Sequence, residues 1–309
     1  MQRIVFATIA CLLLIATARA CNIPVFRYAL ERWKPDACEI SVVYKDDLNR
    51  ADQTILEELG KSSNQLQIKT KQVPGGKDYG KATAEVSCRD TGGRPISIWR
   101  GDLENLHQLR LAQSPARQEL HGRLLKGDSV IWLMIKSQDT AKNKAAHDRL
   151  QERFKLLGDK VQLPQGIGLP GSELFSDIPL LLQFSILTID RDDPNERFLL
   201  TLFRKLNHQA FRSDEPIFVP VFGRGRALDV IPADQLSDTL IDDLTVFLAG
   251  ACSCQVKERN PGFDLLISAD WDTDLFGADG KAPADSPLGQ QQDQRQDNAP
   301  APLQIPPGR

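Results

Sequence analysis

The residues best suited to chemistry in this chain are its cysteines. Cys252-Ser253-Cys254 is a C-x-C pair just beyond an amphipathic segment. Such a pair can ligate a soft metal, form a strained disulfide or bond to distant cysteines. A complete zinc site needs further ligands, and His107, His121, His147 and His208 have no mutual ligand spacing. The plainer alternative is two structural cysteines that tie down the C-terminal segment. Cys21 is the third candidate. It heads a short helical segment, where the helix dipole favours thiolate.

Other motifs carry less. Gly223-Arg224-Gly225 follows an apolar run, but the next segment is extended and a third glycine is missing, so it is not a nucleotide signature. Arg224 and Arg226 are candidates for gripping an anion. The competing expectation is a hairpin tip with solvated arginines. Asp270-Trp271-Asp272-Thr273-Asp274 resembles a calcium loop, yet Leu275 stands where Gly is needed and Lys281 where a bidentate Glu is needed. A surface acidic loop is the expectation there. No Ser/His/Asp set and no paired carboxylates stand out, so no catalytic residue and no cofactor is nominated.

These groups need elements to hold them. Ile217 to Phe222 is six consecutive apolar residues, rich in β-branched and aromatic types. Such a run fits a strand covered on both faces, although Pro220 cannot donate to a ladder. The glycines at 223 and 225 suit a tight turn, and Arg226 to Ile231 is the expected return strand. From Ser237, Leu240, Ile241, Leu244, Phe247 and Leu248 recur at helical spacing. Upstream, segments 129–135 and 185–189 are expected strands. Segments 141–157 and one from Asp193 are expected helices, the latter with a capping Asp, Pro in the first turn and Glu at the third position. The second half therefore reads β-α-β-α-β-β-α, an α/β pattern.

The first half is shorter in apolar runs. Segment 24–33 is an expected helix with Phe26, Ala29, Leu30 and Trp33 on one side. Strands are expected at 40–44, 66–73, 82–88 and 95–99, with helices at 52–59 and 103–111. The stretch from about residue 277, rich in Pro, Gln, Asp and Gly, is expected to be disordered, because it cannot bury enough surface.

Composition narrows the function classes. The 309 residues carry a net charge of −3, with 26% charged and 41% hydrophobic residues. There is no basic stripe, and aromatics are only 6%, so nucleic-acid binding is not expected. Residues 1–20 have the form of a secretory signal peptide. Arg3 supplies the positive start, Ile4 to Ala16 the apolar run and Ala18-Arg19-Ala20 the cleavage site. Cleavage would remove Cys11 and leave five cysteines: Cys21, Cys38, Cys88, Cys252 and Cys254. An odd count leaves one over.

Cys21 would then be the first mature residue. This resembles the lipobox of bacterial lipoproteins, with Ala18 where that family prefers a large aliphatic residue. Two outcomes remain open: a lipid on Cys21, with the membrane reached only through it, or plain secretion. The second half, about residues 128–250, resembles the thioredoxin fold. The resemblance implies a cis peptide bond at Pro216, just ahead of the hairpin. The family's C-x-x-C is absent after Ile135, where the chain has Ser137-Gln138-Asp139-Thr140. The first half resembles the same fold without its first strand, with Cys21-Asn22-Ile23-Pro24 at the head of its first helix. The chain also resembles an exported bacterial family that carries a CSCQVK-like segment.

The resemblance implies two thioredoxin-like halves, at 21–115 and 116–255, followed by an extension from 256 to 309. It implies an exported envelope protein, in the periplasm or outer envelope, that binds a protein partner without catalysis. The second expectation is a thiol-redox or copper- or zinc-handling protein using Cys252 and Cys254.

Overall fold

The computed structural model describes residues 22–73, 81–111 and 113–278. Residues 1–20, where a signal peptide is expected, Cys21 and the stretch from 279 expected to be disordered lie outside the described residues. Helix α1 (Val25–Arg32) comes first, followed by β1 (Cys38–Tyr44), α2 (Arg50–Ser62), β2 (Leu66–Gln72), β3 (Thr83–Arg89) and β4 (Pro95–Asp102). A 3₁₀ helix (Leu103–Leu109) leads to α3 (Pro115–Leu125) and β5 (Val130–Ile135). Then come α4 (Thr140–Lys160), β6 (Phe184–Ile189), α5 (Arg197–Leu206), β7 (Ile217–Phe222), β8 (Arg226–Ala227) and β9 (Ile231–Pro232). The chain continues with α6 (Asp238–Ala249), α7 (Cys254–Arg259), β10 (Phe263–Asp264) and α8 (Trp271–Phe276).

The strands form two sheets, ordered β2-β1-β3-β4 and β10-β8-β7-β5-β6. In each, a first strand sits centrally. It pairs in parallel with the second strand and antiparallel with the third, which carries the fourth. In the first sheet only one face is apolar. Cys38, Ile40 and Val42 alternate inward along β1, as do Ala84, Val86 and Cys88 along β3. That period-two pattern is the mark of a half-covered sheet. Glu39 and Ser87 are directly paired, which sets Cys38 opposite Cys88, and the two form a disulfide. The bond fits a non-reducing compartment. Among the described residues no helix is long and apolar enough to cross a membrane.

The second sheet is covered on both faces, so β5 and β7 are buried at every residue. One face, with Ile131, Leu133, Val219 and Val221, shares a core with α3, α5 and the inner face of the first sheet. The other, with Val130, Trp132, Phe218 and Phe222, packs against α1, α4 and α6. The two halves therefore have separate sheets but one continuous core between them.

Three expectations need correction. First, Pro216 is not cis; no peptide bond among the described residues is. Its carbonyl accepts from Ala233 N–H at 2.8 Å, an ordinary turn contact. Second, the return strand 226–231 is broken into β8 and β9. The Pro220 carbonyl accepts from Leu228 N–H at 3.1 Å, so the missing proline N–H faces the same edge. The ladder lacks a donor there, and the chain bows out between Ala227 and Ile231. Third, α1 does not belong with the first sheet. Its residues from Val25 to Glu31 are all buried, and Val25, Phe26, Tyr28 and Ala29 pack on the far face of the second sheet.

The segment after α7 is also integral. Phe263 in β10 pairs with Ala227 of β8, and Leu265, Leu266 and Ile267 are buried in the shared core. Helix α3, for which no element is expected from the sequence, has a capping Ser114 and a proline in its first turn. Its apolar spacing is weak because Arg117, a buried residue, occupies its inner side.

Candidate functional site

The C-x-C pair sits where the segment leaving α6 runs beside the segment entering α1. Helix α6 ends at Ala249, and the chain then runs antiparallel to the segment entering α1. Val25 N–H donates to Gly250 O at 3.0 Å, and Cys252 N–H donates to Ile23 O at 2.9 Å. Cys252 is buried, while Cys254 is exposed as the first residue of α7, capped by Ser253. Among the described residues no group of three or more His, Cys, Asp or Glu side chains could hold a metal.

The arginines of the hairpin are not solvated. Arg224 Nε donates to Leu30 O at 2.8 Å and Nη2 to Glu31 O at 3.2 Å, while Nη1 pairs with Asp272 Oδ1 at 2.7 Å. It thus places a cation on the orphan carbonyls at the C-terminus of α1. Arg226 donates to the carbonyls of Pro261, Asn260 and Gly262 and to the carboxylates of Asp264 and Asp36. The expectation of a solvated tip fails because α1 and the C-terminal segment cover the turn. All five donors of Arg226 are engaged internally, so it braces the fold rather than presenting a fork to an anion. Burial pushes the Asp264 carboxyl up to about 7, against the pull of Arg226 and with help from Asp36.

The Asp270–Asp274 run starts a helix rather than a loop. Asp270 accepts from Thr273 N–H and Thr273 Oγ1, Asp272 pairs with Arg224, and Asp274 meets His121. This last contact lines a cleft of about 220 Å³ between α3 and the C-terminal segment, with Arg117, Gln118, Ile267 and Ser268.

That cleft gathers side chains that no motif in the sequence joins. His121 Nε2 lies 3.0 Å from Asp274 Oδ2, and its ring meets the Trp271 indole edge-on at 4.7 Å. A carboxylate-oriented imidazole can accept a proton. Ser268 Oγ is buried without a hydrogen-bond partner, so this hydroxyl is not bonded to the imidazole as an activated nucleophile would be. Arg117 forms the floor. It donates to Ser114 Oγ and to the carbonyls of Leu111, Leu266 and Arg110. Burial lowers its pKa to about 10, against the field of Glu196. Leu266, held by Arg117 at 2.7 Å, has a φ of 51°, a strained value for a non-glycine residue. No local signal links His121 to Asp274, because 153 residues separate them. No family model, no curated protein and no solved structure matches this chain.

Proposed function

We propose that this is an exported bacterial envelope protein built from two thioredoxin-like halves, which acts by binding a protein partner and not by dithiol chemistry. The thioredoxin-like reading is supported by the shared order of four strands in both sheets, second, first, third, fourth. Export is supported by the leader-like residues 1–20 and by the Cys38–Cys88 bond.

One observation carries the binding role. A thioredoxin-like half would hold its reactive dithiol between the first strand and the first helix. Here both junctions are closed by capping side chains. Asp139 Oδ1 accepts from Ala141 N–H at 2.8 Å at the start of α4, and Ser137 N–H donates to Asn143 Oδ1 at 2.8 Å. Asn49 Oδ1 accepts from Asp52 N–H at 2.9 Å at the start of α2. A scaffold that keeps the fold and spends those positions on caps retains a surface for recognition.

The test is dithiol-driven insulin reduction by the purified mature protein, beside a variant with Cys252→Ser and Cys254→Ser. The expected result is equal, background turnover for both. Turnover that the double substitution abolishes would overturn the reading. It would favour instead a thiol protein working through Cys252 and the exposed Cys254.

A further inference from the structure

We propose that the cleft beside His121 and Asp274 is a binding site for a carboxylate group. Its floor carries the inference. Arg117 is fully buried, and its four hydrogen bonds go to the Ser114 hydroxyl and to the carbonyls of Leu111, Leu266 and Arg110. A guanidinium has five N–H groups, so one, on Nη2, is left over. No carboxylate among the described residues touches it. Glu196, whose field reaches the guanidinium, accepts from Ala116 N–H instead. A buried charge without a counter-ion in contact is costly, and an anion entering the cleft would supply one. Ser268 adds a second donor. It lines the cleft with Arg117, and its hydroxyl oxygen is buried without a hydrogen-bond partner. A buried hydroxyl left unbonded is a cost that a ligand oxygen would remove.

The charges of the cleft choose the anion. Asp274 stands on its wall, with His121 Nε2 at 3.0 Å. One buried cation beside one carboxylate suits a monoanion and repels the second charge of a phosphate. The two unused donors, on Arg117 and Ser268, match the two oxygens of a carboxylate. Exposed Gln113 and Gln118 also line the cleft, and their amides offer donors and acceptors to the rest of the ligand. The space, about 220 Å³, suits a small acid or the last residue of a peptide chain. The site is independent of the binding role proposed above: the insulin assay reads the thiols of Cys252 and Cys254, and neither lines this cleft.

The experiment is an NMR titration of the purified protein at constant ionic strength. It follows the indole N–H of Trp271, whose ring meets His121 edge-on. The probes are propionate and N-acetylglycine, their neutral amides, and inorganic phosphate. The expected result is a saturable shift with a carboxylate and none with its amide or with phosphate. Saturation by propionate would show that a small acid suffices, and saturation by N-acetylglycine alone would identify a peptide C-terminus. Ser268→Ala removes a hydroxyl that bonds nothing in the fold, so the variant should melt like the parent and bind the carboxylate roughly tenfold more weakly. No saturable shift with either acid, equal affinity for an acid and its amide, tighter binding of phosphate, or unchanged affinity in Ser268→Ala would each overturn the inference.

Discussion

Gly223 shows how one residue can be required by the whole molecule. Its φ is +59°, and a Cβ placed there would stand 2.6 Å from the Cβ of Ala29 in α1. The left-handed backbone and the close approach both exclude a side chain. Gly223→Ala is expected to destabilise the protein by about 2–4 kcal/mol, adding the left-handed cost to overpacking, as measured by urea unfolding. Asp264 gives a pH signature. Its carboxyl rises from an ordinary 3.8 to about 7, so the native state keeps a proton that the unfolded chain releases. Its contribution to stability is therefore whole below about pH 4 and falls as pH rises toward 7. The slope cannot exceed about 1.4 kcal/mol per pH unit. Unfolding free energies measured from pH 4 to 8 should show this decline, and Asp264→Asn should flatten it. A decline unchanged in the variant would assign it to other groups.

At the scale of elements, the Cys38–Cys88 bond staples β1 to β3 across 50 residues of chain. Closing a loop of that length restricts the unfolded ensemble, so replacing both cysteines by Ala should cost roughly 4 kcal/mol on the chain-entropy account. The midpoint of chemical denaturation under non-reducing conditions reads the loss. The broken return strand has a local cause. Pro220 withdraws a donor from the edge that β8 and β9 share, and the ladder resumes only where Phe218 meets Ile231. The hairpin turn keeps its position because Arg224 clamps the end of α1 and Arg226 clamps the approach to β10. Arg226→Ala would leave Asp264 buried beside Asp36 without its cation. The expected loss is about 3–5 kcal/mol, seen as a lowered melting temperature.

At the scale of the molecule, the two sheets share a core that the 263–276 segment helps to fill, while α1 covers the far face of the second sheet. A division at residue 115 would cut through that core, parting Ile40, Val86 and Ile98 from Leu133 and Phe203. Unfolding is therefore expected to be a single cooperative transition, the same by far-ultraviolet and near-ultraviolet circular dichroism. A fragment ending at residue 115 should show no cooperative melt. Two resolved transitions, or a stably folded fragment, would mean that the halves are independent.

The α/β class and most strands could be read directly from the sequence. The six-residue run at 217–222, the alternation at 66–73 and the capped helix after Asp193 each carry their pattern in consecutive residues. Local hydrophobic period is a property of the segment itself. What joins distant segments was not legible. Nothing near Cys38 specifies Cys88, nothing near His121 specifies Asp274, and the arginines flanking Gly225 give no hint that carbonyls will surround them. Those partners are chosen when the core closes, because burial forces each polar group to find whichever acceptor or donor the packing brings beside it. Tertiary structure alone decided that α1 serves the second sheet, that Pro216 stays trans and that the segments entering α1 and leaving α6 meet at Ile23 and Cys252.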